Sequence, residues 1–132
     1  MKRITQMMMT VISLIVLINC DKLETPLTNG YYSGSLSYQG QIYFDGILFD
    51  ENTYKEVPSG GASNQKFPCL TEGTYKIKNG TITFIPNNSP TCSCSACLLT
   101  GNFDLIQKGN KIIFQKGSGQ DLQIYTLTQL VD

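Results

Sequence analysis

The most reactive side chains of this sequence belong to its five cysteines. Cys69 stands alone, whereas Cys92, Cys94 and Cys97 share the run Cys-Ser-Cys-Ser-Ala-Cys. In an oxidising compartment these four cysteines predict two disulfides. A bridge between Cys92 and Cys94 is disfavoured, because a single intervening residue strains disulfide geometry. Two connectivities stay open: 69–92 with 94–97, and 69–94 with 92–97.

Two other kinds of chemistry fit the same cysteine spacing. Four thiolates could hold Zn²⁺ or Cu(I), but an oxidising compartment opposes this, and the chain has no histidine to complete a site. Cys94 and Cys97 also have the spacing of a labile redox pair. We expect structural disulfides and no bound metal or other cofactor.

The sequence offers little for catalysis. Histidine, the commonest general base, is absent. No Gly-x-Ser-x-Gly elbow and no phosphate-binding glycine fingerprint is present. Four acidic residues cluster around a predicted turn, where they are expected to be solvated, with a calcium site as the alternative: Asp45, Asp50, Glu51 and Glu56. We therefore expect a protein that is not an enzyme.

Length and charge restrict the other function classes. The chain has 132 residues, enough for one domain, and its ten basic residues balance its ten acidic ones. A neutral chain is a poor partner for nucleic acid, because phosphate binding needs a basic surface.

The secondary-structure pattern is that of short β-strands separated by Gly, Asn, Asp and Pro. No stretch of ten or more residues has a clear helical period. The predicted strands are 31–38, 41–49, 53–57, 74–78, 81–85, 99–106, 111–116 and 122–130.

Three hairpins connect these strands. Asn79-Gly80 suits a type I′ turn that pairs Ile77 with Ile82 and Tyr75 with Phe84. A turn around 108–110 puts Phe103, Leu105, Ile112 and Phe114 on one face. In the first hairpin we expect a three-residue loop over 39–41. That register pairs Tyr38 with Ile42, Leu36 with Phe44 and Tyr32 with Leu48, and it sets Gly34 opposite Gly46 on the inward face.

The predicted fold is all-β, a small eight-stranded antiparallel up-and-down barrel formed by residues 29–132. The alternative is a two-sheet β-sandwich. Closure favours the barrel, since it removes the sheet edges. The residues expected to line the interior and contact a ligand are Tyr32, Leu36, Phe44, Leu48, Tyr75, Phe84 and Phe103.

The N-terminus resembles the signal and lipobox of bacterial lipoproteins. Met1-Lys2-Arg3 is a short basic region, and an apolar run over 7–18 is too short to span a bilayer comfortably. Leu17-Ile18-Asn19-Cys20 follows, although Asn19 departs from the usual small residue. The resemblance implies a leader over 1–19, lipidation of Cys20 by acyl chains such as palmitate, and a tether over 20–28. It places the protein in the cell envelope, on the periplasmic side of a membrane or at the cell surface.

The remainder resembles small lipocalin-like (calycin) envelope lipoproteins. The similar segments are Gly30-Tyr31-Tyr32-Ser33-Gly34, Glu72-Gly73-Thr74-Tyr75, Leu99-Thr100-Gly101-Asn102-Phe103 and Tyr125-Thr126-Leu127. The lipocalin Trp near the first strand and Arg near the last are absent. The resemblance implies a barrel that binds a small apolar ligand. The alternative is a disulfide-stapled scaffold that binds another envelope protein for assembly, sensing or inhibition, with an exposed patch expected over 60–67.

Overall fold

The computed structural model describes residues 26–57, 70–87 and 99–131, which form one closed antiparallel β-barrel. The strands are β1 Gly30–Tyr38, β2 Gln41–Asp50, β3 Thr53–Val57, β4 Glu72–Lys78, β5 Thr81–Pro86, β6 Gly101–Lys108, β7 Lys111–Lys116 and β8 Gln123–Gln129. Each strand pairs with its neighbour in sequence, and β8 returns to pair with β1. The prediction of an eight-stranded up-and-down barrel is confirmed.

The hairpin between β4 and β5 forms as the sequence predicts. Tyr75 pairs with Phe84 and Ile77 with Ile82, and all four side chains point into the barrel. Asn79 and Gly80 have φ angles of 51° and 71°, the left-handed conformation that a type I′ turn needs at both positions. Turn chemistry and the apolar alternation specify the same register here, and this agreement makes the hairpin predictable.

The first hairpin has a different register from the predicted one. The turn between β1 and β2 contains two residues, Gln39 and Gly40, and Tyr38 pairs with Gln41. Because side chains alternate between faces, this shift of one residue reverses the predicted orientation of every β2 side chain. The inward residues of β2 are therefore Tyr43, Asp45, Ile47 and Phe49, whereas Ile42, Phe44 and Leu48 are exposed.

Gly34 and Gly46 do not face each other, as the three-residue loop implied. Gly34 pairs with Asp45, and a Cβ there would collide with the carbonyl oxygen of Thr126 on β8. The ring of Tyr31 lies against Gly46 on the outer surface. Each glycine thus permits a separate close approach, one between backbones and one beneath an aromatic ring.

The two ends of the barrel differ. The first described residues close one end: Leu27, assigned by the sequence to the tether, is buried, and its N–H donates to the Tyr75 hydroxyl at 3.1 Å. The opposite end, which we call the polar end, carries the Gln39-Gly40 turn, Thr71 and a short 3₁₀ turn at Gly119–Asp121. No helix in the described part of the chain is long and apolar enough to cross a membrane.

Candidate functional site

The barrel interior is filled with aromatic side chains. Five of the seven residues predicted to line it are buried there, namely Tyr32, Leu36, Tyr75, Phe84 and Phe103. The prediction is wrong for Phe44 and Leu48, which lie on the outer wall because of the first hairpin's true register.

Phe84 is the centre of the aromatic network. Its ring centroid lies 4.9 Å from that of Tyr54, 5.7 Å from that of Phe103 and 5.4 Å from that of Phe114. Phe114 in turn stacks on Tyr125 at 4.7 Å. These are the spacings of rings in direct contact. The middle of the barrel is therefore a packed core rather than an open ligand chamber.

A pair of buried carboxyl groups lies toward the polar end. Asp45 is an inward residue of β2, and Glu56 is an inward residue of β3, where it alternates with buried Tyr54. Their exposed fractions are 1% and 2%. Such deep burial of acidic side chains is rare, because each charge loses its hydration.

Each carboxyl group is hydrogen-bonded through one oxygen only. Oδ1 of Asp45 accepts from the N–H of Gly46 at 2.9 Å. Oε2 of Glu56 accepts from the N–H and the hydroxyl of Thr71, at 2.7 and 2.8 Å. Oδ2 of Asp45 and Oε1 of Glu56 have no hydrogen-bond donor, and neither carboxyl group has an ion-pair partner among residues 26–57, 70–87 and 99–131.

Burial raises the pKa of Asp45 above its ordinary value, and the nearby charge of Glu56 raises it further. Burial also raises the pKa of Glu56, against the opposing effect of the Thr71 hydrogen bonds. The two side chains lie within hydrogen-bonding reach of each other. If both carboxyl groups were ionised, neither could donate a hydrogen bond to the other. If one of them keeps its proton, that group donates to the other. The pair therefore favours a singly protonated state, as closely spaced carboxyl groups generally do.

Two further unpartnered oxygens lie on the inward side of β8. The Tyr125 hydroxyl is fully buried, and neither it nor Oε1 of Gln123, the preceding inward residue, has a hydrogen-bond partner in the described part of the chain. Burial raises the pKa of Tyr125, and the charges of Glu56 and Asp45 raise it further, so its hydroxyl lies in the field of the pair. We call Asp45, Glu56 and Tyr125 the oxygen cluster.

Tyr54 lies beside the oxygen cluster but is satisfied. Its hydroxyl donates to the carbonyl oxygen of Leu99 at 3.1 Å. Burial raises the pKa of Tyr54 to about 12, so the phenol stays protonated at neutral pH. Tyr54 and Tyr125 are thus two buried tyrosines of the same core, of which only Tyr54 has a hydrogen-bond partner for its hydroxyl among the described residues.

The acidic residues grouped by the sequence separate in the structure. Asp50 and Glu51 are exposed at the β2–β3 turn, but Asp45 and Glu56 are inside, so the expectation of solvation is wrong for these two. In the sequence, Asp45 alternates with Ile47 and Glu56 alternates with Tyr54, which indicates that both acidic side chains point inward. For Asp45 this indication was missed, because the assumed three-residue loop turned the wrong face of β2 inward. The described residues contain no group of three acidic, Cys or His side chains suited to a metal ion.

A second candidate site is the outer wall of β8, β1 and β2. Its outward residues between the strand ends are all uncharged and form what we call the uncharged face: Tyr31, Ser33, Ser35, Ser37, Ile42, Phe44, Leu48, Ile124, Thr126 and Thr128. Ile42 and Phe44 are 66% and 60% exposed. The outer wall of β3–β7 instead carries charged residues, namely Lys55, Glu72, Lys76, Lys78, Asp104, Lys108 and Lys111.

The uncharged face continues into an open groove at the polar end. Ser37 and Ile124 line this groove together with the Gln39-Gly40 turn and Leu122. Phe44 pairs with Ser35 and Ile42 with Ser37, so two apolar side chains stand beside a row of small ones. The surface between these side chains is accessible to a partner protein, which could insert its own side chains there.

Several predicted residues lie outside the part of the chain that the structure describes. They include the patch over 60–67 and all five cysteines: Cys20, Cys69, Cys92, Cys94 and Cys97. Lipidation, disulfide formation and connectivity therefore remain predictions. In comparisons with known proteins, no family model, no curated protein and no solved structure matches the chain.

Proposed function

We propose that this chain is a lipid-anchored bacterial envelope protein whose barrel is a non-enzymatic scaffold that binds another envelope protein. The observation that carries the proposal is the uncharged face, with Ile42 and Phe44 prominently exposed on it. Apolar and aromatic side chains without charges are typical of the centre of protein interfaces. Contiguous exposed apolar patches on monomers commonly mark interaction sites.

The predicted anchor brings this face close to a membrane. If Cys20 carries acyl chains, only residues 21–25 separate it from Pro26, the first described residue. The six steps of the chain from Cys20 to Pro26 span roughly 20 Å at full extension, at ~3.5 Å each. Leu27 is already buried against the barrel, which shortens the free connection. A partner protein would therefore be one that lies in the membrane or within a short distance of it.

Site-specific photocrosslinking in the native envelope tests this proposal. A photoreactive amino acid replaces Ile42 on the uncharged face or, as the control, Thr83 on the outer wall of β5. We expect position 42 to give one discrete crosslinked envelope protein and position 83 to give none. Phe44→Glu, placed beside the probe, should abolish the crosslink at position 42, because it buries a charge in the interface.

Membrane attachment is tested separately with Cys20→Ala. The predicted result is release of the variant from the membrane fraction and loss of the mass of its acyl chains. The proposal of a docking surface is overturned if positions 42 and 83 crosslink equally, or if Phe44→Glu leaves the crosslink unchanged. The proposal of an anchor is overturned if Cys20→Ala stays in the membrane fraction.

A lipocalin-like carrier of a small apolar ligand is the second candidate, and the closed eight-stranded barrel favours it. The ring contacts around Phe84 oppose it, because they occupy the space that an apolar ligand needs. Native mass spectrometry of the exported full-length protein distinguishes the two. A bound lipid-like mass of a few hundred daltons in stoichiometric amount supports the carrier, and its absence supports the scaffold.

A further inference from the structure

The hydrogen-bonded junction between β3 and β4, which we call the β3–β4 seam, is the shortest in the barrel. Its register joins only Thr53–Lys55 of β3 to Glu72–Thr74 of β4. Every other pair of neighbouring strands is joined over a longer stretch. A short stretch of paired backbone opens at a lower free-energy cost than a long one, so this seam depends on the contacts at its ends.

At the polar end, Glu56 and Thr71 close the β3–β4 seam. The N–H of Glu56 donates to the carbonyl oxygen of Thr71 at 2.8 Å. In return, Oε2 of Glu56 accepts from the N–H and the hydroxyl of Thr71, at 2.7 and 2.8 Å. Two of these three hydrogen bonds therefore depend on where the Glu56 side chain points.

We propose that Asp45 and Glu56 form a pH-dependent switch, which opens the polar end of the β3–β4 seam when the two carboxyl groups lose their shared proton. Glu56 pairs with Ile47, and Asp45 lies two residues from Ile47 on the same inner face of β2. While the proton is present, one carboxyl group donates to the other. Without it, two negative charges face each other at side chains that are 1% and 2% exposed.

Glu56 is the side chain that moves. Asp45 lies in the middle of β2, which pairs with β1 along its whole length, and its Oδ1 accepts from the N–H of Gly46. Glu56 is one residue from the end of β3. Rotation of the Glu56 side chain toward solvent separates the two charges and breaks both of its hydrogen bonds to Thr71. The N–H of Thr71 then becomes open to exchange with water.

The switch opens with rising pH. Burial raises the pKa of both carboxyl groups, and the charge of Glu56 raises the pKa of Asp45 further, so the last proton is lost above neutral pH. An exposed Glu56 has its ordinary acidity and releases the proton that the closed seam retains. The closed seam is therefore favoured at neutral pH and below, and the open one above.

The charged side chain on the inner side of β7 does not neutralise the pair. Lys116 donates to the carbonyl oxygen of Thr100 at 2.9 Å, and its Nζ lies 5.4 Å from the centre of the Phe103 ring. Within the described ranges, neither Asp45 nor Glu56 forms an ion pair with any lysine. The ionised pair thus has no counter-charge there.

The other titratable groups around the pair are tyrosines. Burial raises the pKa of Tyr54 on β3 to about 12 and that of Tyr125 on β8 well above its ordinary value, so both phenols stay protonated. Tyr38 on β1 accepts from Nε2 of Gln39 at 3.2 Å, and Tyr43 on β2 donates to Oε1 of Gln41 at 2.6 Å. None of these side chains supplies a positive charge. The switch concerns the interior and is independent of the docking function of the outer wall.

Residue-resolved amide hydrogen exchange of the full-length protein by NMR tests the proposal between pH 6 and pH 9. Each rate is corrected for the intrinsic acceleration of exchange with pH. We expect protection of the Thr71 N–H to fall by about tenfold or more over this range, as a local opening would require. The N–H of Tyr75, which donates to Asn52 at the other end of the same seam, should keep its protection. So should the N–H of Leu105, which donates to Gly80.

Two variants assign the effect to the pair. Glu56→Gln keeps the side-chain shape, can still accept from Thr71 and cannot ionise, so Thr71 protection should no longer depend on pH. Glu72→Gln, an exposed carboxyl on β4, is the control and should leave the pH dependence unchanged. If Glu56→Gln fails to fold, the comparison of Thr71 with Tyr75 and Leu105 in the unmodified protein decides.

Three results overturn the proposal. The first is Thr71 protection that does not change with pH. The second is an equal loss of protection at Thr71, Tyr75 and Leu105, which would indicate unfolding of the whole barrel. The third is a pH dependence that Glu56→Gln leaves unchanged. None of these results affects the crosslinking test of the uncharged face, so the two proposals succeed or fail separately.

Discussion

At the scale of single residues, the carboxyl pair sets the unusual chemistry of this barrel. Asp45 and Glu56 are buried in a domain whose other interior side chains are mostly apolar. The sequence contains the alternation that turns both inward, but burial and mutual proximity arise only when β2 and β3 pair. The buried pair could therefore not be predicted, because the length assigned to the β1–β2 turn was wrong.

The free energy of unfolding should fall as pH rises from about 4 through neutrality. Both carboxyl groups have raised pKa values in the folded protein, so between the ordinary and the raised values the folded state binds more protons. Stability is then fully present below the ordinary pKa and is lost with rising pH, by about 1.4 kcal/mol for each unit of pKa elevation. Urea unfolding from pH 4 to 8 measures this slope, and Asp45→Asn should flatten it.

Tyr125→Phe and Tyr54→Phe should behave differently, although both remove one buried hydroxyl. The Tyr125 hydroxyl has no partner among the residues that the structure describes, so its removal should leave stability unchanged or raise it by up to about 1 kcal/mol. The Tyr54 hydroxyl donates to Leu99, so its removal should cost about 1 kcal/mol. Chemical denaturation of both variants decides, and a larger loss for Tyr125→Phe would contradict the unpartnered assignment.

At the scale of elements, predictability depends on whether turn and pattern agree. Asn79-Gly80 determines its turn and matches the alternation of Ile77 and Ile82, so this hairpin was predicted with the correct register. Both faces of β2 carry apolar or aromatic residues, namely Tyr43, Ile47 and Phe49 on one face and Phe44 and Leu48 on the other. Such a strand does not reveal which face is buried, and Gln39-Gly40-Gln41 permits either loop length.

Gly34→Ala should destabilise the barrel more than Gly46→Ala. At Gly34 a Cβ meets the backbone of β8, which cannot move without separating the β1–β8 pair. At Gly46 it meets the ring of Tyr31 on the outer wall, which can rotate away. We expect a loss of about 2 kcal/mol or more at Gly34 and under about 1 kcal/mol at Gly46. Equal thermal stabilities of the two variants would contradict this assignment of the close approach.

At the scale of the whole molecule, the barrel fold could be predicted from the sequence, but the difference in charge between the two halves of its outer wall could not. Eight short strands with tight turns lead to a closed barrel, because closure is the simplest way to protect all the edges. Which half of the outer wall lacks charges follows only from the register of every strand. Phe44 illustrates the difference, since a shift of one residue moves it from the predicted interior to the uncharged face.

Phe84→Ala should cost about 3–5 kcal/mol, the range for removing a ring from a packed core. Phe84 contacts rings on five other strands, so its loss leaves a cavity at the centre of the barrel. Phe44→Ala on the outer wall should change stability by less than about 0.5 kcal/mol. Urea unfolding of both variants is the measurement. If both variants had small effects on the free energy of unfolding, the interior around Phe84 would not be a packed core.

The measurement that tests the central claim most directly is a pH titration of the carboxyl carbons of Asp45 and Glu56 by ¹³C NMR. The structure predicts that the two resonances titrate together, well above the ordinary carboxyl values of 3.8 and 4.5, and that the pair keeps one proton at neutral pH. Glu56→Gln should remove the coupling and change the titration of Asp45. Independent titration of both groups near pH 4 would contradict the buried pair.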